Sequence, residues 1–151
     1  MVVEDEPLIL QNIIDKIHHV NPEFKVVYAA ANGLDAWEHI EIYSPDLLIT
    51  DIQMPVVNGL DLLARVKESY PAIECVILTG FNEFEYARKA IRSYSLDYLL
   101  KPINEDELLA AVRKAKTTLD FRASYPVLSE ADIGAFQSAL FNADEDAGWQ
   151  F

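Results

Sequence analysis

Five short apolar runs, each followed by a stretch with helical spacing, limit what this chain can fold into more than any other feature. The runs are Met1-Val2-Val3, Val26-Val27-Tyr28-Ala29, Leu47-Leu48-Ile49-Thr50, Cys75-Val76-Ile77-Leu78 and Tyr98-Leu99-Leu100. They are continuously apolar rather than alternating, as expected of strands covered on both faces of a parallel sheet. Between the runs, Leu10, Ile13, Ile14 and Ile17 share one helical face, as do Leu108, Val112, Ala115 and Leu119. Asn104 followed by Glu105, Asp106 and Glu107 reads as a helix start, with a capping side chain and acids at the positive end of the helix dipole. Strand–helix alternation of this kind predicts right-handed crossovers and a doubly wound α/β sandwich. A length of 151 residues suits one domain, and 51% hydrophobic residues with only 5 glycines and 7 prolines favour a packed core over disorder.

The charge balance excludes a class of function. The chain carries 25 acids against 12 Lys and Arg, net -13, and lacks the basic cluster that binding to nucleic-acid phosphates requires. No apolar run approaches the roughly 20 residues of a membrane span, and Glu4 interrupts the N-terminus before a signal-peptide core could develop. The expectation is a soluble, cytoplasmic protein without a membrane partner. The single cysteine, Cys75, cannot form an internal disulfide and lies within an apolar run, which predicts a buried, inert thiol. His18, His19 and His39 show no metal-ligand spacing.

In doubly wound sheets, ligands sit beyond the carboxyl ends of the strands. The polar residues there are Glu4-Asp5-Glu6 after the first run, Asp51 after the third, Thr79-Gly80 after the fourth and Lys101-Pro102 after the fifth. Carboxylates converging from two strand ends repel each other, and a divalent cation relieves that repulsion. Mg²⁺ suits such a site, with Asp5 and Asp51 as direct ligands and Glu4 direct or through water. Lys101 offers a positive charge to an anion, and the Thr79 hydroxyl a hydrogen bond. These are the requirements of phosphoryl transfer, in which positioning and charge neutralisation do most of the catalysis and an aspartate can form an acyl phosphate. Taken singly, each element is ordinary: an acidic loop, a strand-end threonine, a Lys-Pro turn. Their arrival at successive strand ends is what points to a site.

The same residues resemble the receiver domain of two-component response regulators over about residues 1 to 121. The resemblance rests on Val3-Glu4-Asp5-Glu6-Pro7, on Ile49-Thr50-Asp51-Ile52-Gln53-Met54-Pro55 followed by Asn58-Gly59, on Leu78-Thr79-Gly80 and on Asp97-Tyr98-Leu99-Leu100-Lys101-Pro102. Residues Phe81 to Ile91 further resemble receivers that precede AraC-type DNA-binding domains. The resemblance implies a five-stranded parallel sheet of flavodoxin-like order 2-1-3-4-5 with helices on both faces. It implies Asp51 as phosphoacceptor from a sensor histidine kinase. Mg²⁺ would be held by Asp5, Asp51 and the main-chain carbonyl of Gln53, with Glu4 in support. Lys101 and Thr79 would bind the phosphoryl group, and Pro102 would follow a cis peptide. Thr79 and Tyr98 would form the switch that changes the face made by helix 4, strand 5 and helix 5, through which a homodimer is expected on phosphorylation. Gln53, Gly80, Phe81 and Pro102 would flank the phosphoryl site.

The chain departs from that pattern in two places: a first strand of only three residues before the acids, and Ser93-Tyr94-Ser95 where receivers often carry a glycine. Residues 122–151 form an acidic tail. Its Ser129/Asp132 capping box is expected to start a short helix with Ile133, Phe136 and Leu140 on one face, either packed on its own domain, part of a dimer seam, or the stub of an output domain. The tail is too short and acidic for a helix-turn-helix, so DNA binding is expected only through an output domain absent from this chain. A phosphorylation-independent docking module is the competing reading. An aspartyl-phosphate phosphohydrolase would resemble a pattern with a second Asp where Gln53 stands, and flavin binding lacks its phosphate loop.

Overall fold

The computed structural model describes residues 1–80, 82–94, 97–125 and 129–146, with the side chains of residue 20 and of residues 143–146 left out. The chain alternates β1 (Val2–Val3), α1 (Pro7–Val20), β2 (Ala29–Ala30), α2 (Gly33–Tyr43), β3 (Leu47–Asp51), α3 (Gly59–Ser69), β4 (Glu74–Thr79), α4 (Phe84–Tyr94), β5 (Asp97–Leu100) and α5 (Glu105–Ser124), and adds α6 (Glu130–Asp146). All strand pairings are parallel, in the order β2-β1-β3-β4-β5. The expected doubly wound sheet is present.

Alternation along each strand distributes the core between two layers. Val2, Leu47, Ile49, Val76, Leu78 and Leu99 face α1 and α5, where they meet Ile13, Ile17, Leu108 and Val112. Val3, Leu48, Cys75 and Ile77 face the opposite way, toward Ala36 and Ile40 of α2, Leu62, Leu63 and Val66 of α3, and Ala87 and Ile91 of α4. Each side chain of this size contributes roughly 1.5–3 kcal/mol when fully buried, so β3 and β4, buried at every position, anchor the sheet. That arrangement fixes what their C-terminal ends carry.

Helix starts follow local chemistry. Asn32, Asn58 and Asn104 cap α2, α3 and α5, each accepting from a backbone N–H in the first turn. In α6, Ser129 and Asp132 exchange bonds in the expected capping box. Gly59 is required by close approach: its N–H donates to the Ile52 carbonyl at 2.8 Å, and a Cβ there would collide with the carbonyl of Asp51.

Several boundaries differ from the sequence expectation. The run Val26–Ala29 is strand only at Ala29–Ala30, because its partner β1 offers two residues to pair with. Helix α5 continues to Ser124, three residues past the stretch over which the receiver resemblance runs. On α4, Ala87 and Ile91 are buried, whereas Tyr94 at the helix end is 40% exposed. The tail helix is longer than expected and packs on its own domain: Ile133 is buried, and the Phe136 ring stacks on Phe121 of α5 at 3.9 Å. Gln137 donates to both carboxylate oxygens of Glu74 at 2.8 Å, and Arg122 lies 3.4 Å from the same carboxylate. These contacts match the first of the three placements that the sequence left open for the tail.

Candidate functional site: an acidic rim with one lysine

Glu4 and Asp5 leave the end of β1, and Asp51 ends β3 beside it. Pairing of β1 with β3 sets Val3 opposite Thr50, so the residues that follow emerge side by side. One oxygen from each of Glu4, Asp5 and Asp51 falls within 4.8 Å of the others, the one acidic or metal-ligating cluster of this kind among the described residues. Glu4 and Asp51 are buried at 1% and 4% exposure, whereas Asp5 is exposed to solvent. One Asp51 oxygen, Oδ1, accepts the Ile52 N–H at 2.8 Å. The other, Oδ2, faces Lys101 Nζ at 3.0 Å. The lysine also lies 3.6 Å from Glu4 Oε2, and that oxygen is buried without a hydrogen-bond partner. Glu4 Oε1 accepts the Glu6 N–H at 3.2 Å.

The electrostatics follow from burial. Loss of water and then the Asp51 charge push the Glu4 carboxyl up to about 7, against the Glu6 amide and Lys101, which favour its charged form. For Lys101, burial opposes the ammonium, but the hydrogen bond and charge of Asp51, with the charges of Glu4 and Glu83, outweigh it and hold the group above the ordinary lysine range. A single lysine therefore faces more negative charge than it can neutralise. An orphaned buried carboxylate oxygen beside two further carboxylates is a donor set that fits Mg²⁺, whose preference is for hard oxygen ligands.

Thr79 and Lys101 are neighbours through pairing of β4 with β5, and the Lys101 N–H donates to the Thr79 carbonyl at 2.9 Å. The Thr79 hydroxyl donates to the Gly80 carbonyl at 3.1 Å. The Lys101–Pro102 peptide is cis, as the resemblance implied. Tyr98 is half-buried with its ring 5.0 Å from that of Phe84 on α4. Gln53 is exposed on the loop leaving Asp51, and the expected flank at Phe81 lies outside the described residues. Sequence reasoning missed Glu83, whose Oε2 accepts the Gly80 N–H at 3.2 Å while its own N–H donates to the Gly80 carbonyl at 3.0 Å. The three-residue spacing from Gly80 was the available signal. Away from the rim, burial pushes the Cys75 thiol up to about 12, consistent with an inert core residue.

A doubly wound parallel sheet of order 2-1-3-4-5, with strand-end carboxylates, a threonine and a lysine on one rim, has the architecture of a signalling receiver domain. Residues 1–113 match the response regulator receiver domain family, and the chain belongs to that family. It is 33% identical over 114 residues to YesN of Bacillus subtilis, named an uncharacterized transcriptional regulatory protein, covering 76% of this chain and 31% of the relative. It is also 33% identical over 121 residues to the transcriptional regulatory protein HptR of Staphylococcus aureus, covering 79% and 46%. The chain thus spans less than half of these relatives. Among solved structures, the receiver domain of AraT, a response regulator from Geobacillus stearothermophilus, superposes with a TM-score of 0.73 at 33% identity, covering 81% of this chain and 95% of that one. A receiver domain protein from Clostridium thermocellum gives a TM-score of 0.70 at 27% identity, covering 81% and 94%.

Proposed function

We propose that this chain is a phosphorylation-activated receiver in which Asp51 accepts a phosphoryl group from a phosphohistidine of a sensor histidine kinase. The supporting observation is the convergence of Glu4, Asp5 and Asp51 within 4.8 Å with Lys101 Nζ 3.0 Å from Asp51 Oδ2. An Asp51 carboxylate oxygen attacks phosphorus, the P–N bond breaks, and the imidazole leaves with the bonding pair. Lys101 holds a phosphoryl oxygen and offsets its charge, and the Thr79 hydroxyl turns from the Gly80 carbonyl to a second oxygen. Asp5, Asp51 and the Gln53 carbonyl, supported by Glu4, would hold Mg²⁺, which when bound neutralises the carboxylates and the transferred group. Withdrawal of the Thr79 hydroxyl changes the space beside Tyr98 and biases the face formed by α4, β5 and α5. Hydrolysis of the acyl phosphate resets the domain, with Gln53, Gly80 and Pro102 flanking the path of water.

The unit carrying this chemistry is residues 1–121, with 122–151 as its tail. Its output is transcriptional, through regions of a longer protein that bind DNA, and it works in the cytoplasm. No described helix is long and apolar enough to cross a membrane. Homodimerisation through α4, β5 and α5 would have to accommodate α6, since Phe141 lies 5.4 Å from Lys114 of α5. Sedimentation with and without beryllofluoride tests that association.

Acetyl phosphate with Mg²⁺ should add one phosphoryl group to the intact protein, lost with EDTA or Asp51→Asn. An unmodified, folded protein would refute the assignment. Partner binding that survives Asp51→Asn without change would favour the docking-module reading instead.

A further inference from the structure

Two donors on the rim, the Thr79 hydroxyl and the Gly80 amide, are already committed within their own turn. The hydroxyl donates to the Gly80 carbonyl at 3.1 Å and the amide to Glu83 Oε2 at 3.2 Å. The Gly80 carbonyl is gripped a second time by the Glu83 N–H at 3.0 Å. Both sides of this one residue are therefore held by Glu83, at the strand end that adjoins Lys101. The Glu83 charge also reaches Lys101, so this carboxylate competes with any incoming anion for the ammonium as well as for the amide. A main-chain N–H followed by a short turn is a natural anion donor, and an arriving phosphoryl group carries negative charge that Glu83 repels.

We propose that Glu83 is a latch: a positioning residue that occupies the Gly80 amide, keeps the Thr79–Gly80 turn in its unswitched arrangement, and must let go before the rim closes on a phosphoryl group. The proposal rests on the reading of Asp51 as acceptor. It assigns Glu83 a role in how long the phosphoryl group survives and how readily the domain switches. A carboxylate that merely braced the turn would have the opposite effect, because its loss would loosen the rim and weaken anion binding.

The experiment measures beryllofluoride affinity with Mg²⁺ by calorimetry, and the half-life of the acetyl-phosphate-derived aspartyl phosphate, for the whole chain and for Glu83→Ala and Glu83→Gln. Loss of one charge-assisted hydrogen bond at a half-exposed position predicts affinity tightened about fivefold in Glu83→Ala, with a longer half-life. Glu83→Gln, which keeps an acceptor for the Gly80 N–H without the charge, should fall between alanine and the unmodified protein. Circular dichroism establishes that each variant is folded, and the glutamine variant decides the matter if alanine is not. Affinity unchanged or weakened in the folded variants overturns the latch while leaving Asp51 as acceptor. Failure of the unmodified protein to bind beryllofluoride and to be phosphorylated overturns both.

Discussion

Replacing Lys101 by Met keeps the aliphatic stem and removes the charge on which the rim depends. The ammonium lies 3.0 Å from Asp51 and 3.6 Å from Glu4, whose side chains are 6% and 0% exposed, while the lysine itself is 28% exposed. Removing one partner of a buried ion pair costs about 3–5 kcal/mol, and screening on the open side of this lysine reduces the figure to about 2–3 kcal/mol. For a chain of this size that corresponds to a melting temperature lower by about 5–10 °C in EDTA near about pH 8. Mg²⁺ at saturation should recover most of the loss, since the cation relieves the same repulsion.

Acidity gives the same experiment a second axis. Burial and Asp51 raise the Glu4 carboxyl from 4.5 to about 7 in the folded protein. Between those values the folded state holds a proton that the unfolded chain has released, so metal-free stability falls as pH rises through that window. Lys101 favours the charged form of Glu4, and its removal steepens the fall. The gap between Lys101→Met and the parent should therefore narrow as pH is lowered toward about 5, where Glu4 is protonated in both. Thermal melts followed by circular dichroism across that range supply the data. A variant melting within about 1 °C of the parent in EDTA, or a gap that widens on acidification, would refute the electrostatic account of the rim.

Three further outcomes follow from the fold. Gly59→Ala drives a Cβ into the Asp51 carbonyl and should cost about 2–4 kcal/mol in urea denaturation while lowering acetyl phosphate reactivity; equal midpoints would show that the backbones are not in close approach. Ending the chain at Tyr125 removes the cover that α6 gives to α5 and the Gln137 bonds to Glu74, so the shortened protein should be less stable by about 2–3 kcal/mol, and an unchanged melt would mean α6 does not stabilise the domain. Cys75, 5% exposed with its thiol pushed up to about 12, should resist Ellman's reagent until urea unfolds the chain, and rapid labelling of the native protein would contradict its burial.

The sheet was legible because its strands are buried on both faces and so read as continuous apolar runs, most clearly at β3 and β4. The rim was legible for a related reason: polar residues directly after such runs have one place to go, and register then fixes their neighbours. Strand lengths were less accessible. Val26 and Val27 have the β propensity expected of a strand, yet pairing requires a partner opposite, and β1 pairs with only Ala29 and Ala30. The stripe of Ile133, Phe136 and Leu140 announced a helix without indicating its counterpart, because Phe121, which stacks on Phe136, belongs to the preceding helix, which ends at the Tyr125 cap. Glu83 was hard to single out because its partner is a main-chain amide, which every residue type but proline supplies, so its three-residue spacing from Gly80 was a weak signal.

The net charge of -13 acquires a local meaning at the rim. Acids scattered over a surface are screened by water and counterions, and cost the fold little. Glu4 and Asp51 differ because β1 and β3 are covered on both sides, so the sheet that positions these carboxylates also strips them of solvent. One lysine cannot offset both of them together with Asp5 and the reach of Glu83, and the Glu4 oxygen left without a hydrogen bond is the visible trace of that deficit. A site left short of positive charge favours a divalent cation, and with a cation bound it would tolerate the added phosphoryl group proposed above, which the bare carboxylates would repel. The same imbalance explains why the lysine should matter most to stability in EDTA and least in Mg²⁺. If the Lys101→Met deficit were equal in the two buffers, the lysine would be a structural strut, and the case for a cation at these carboxylates would lose its energetic basis.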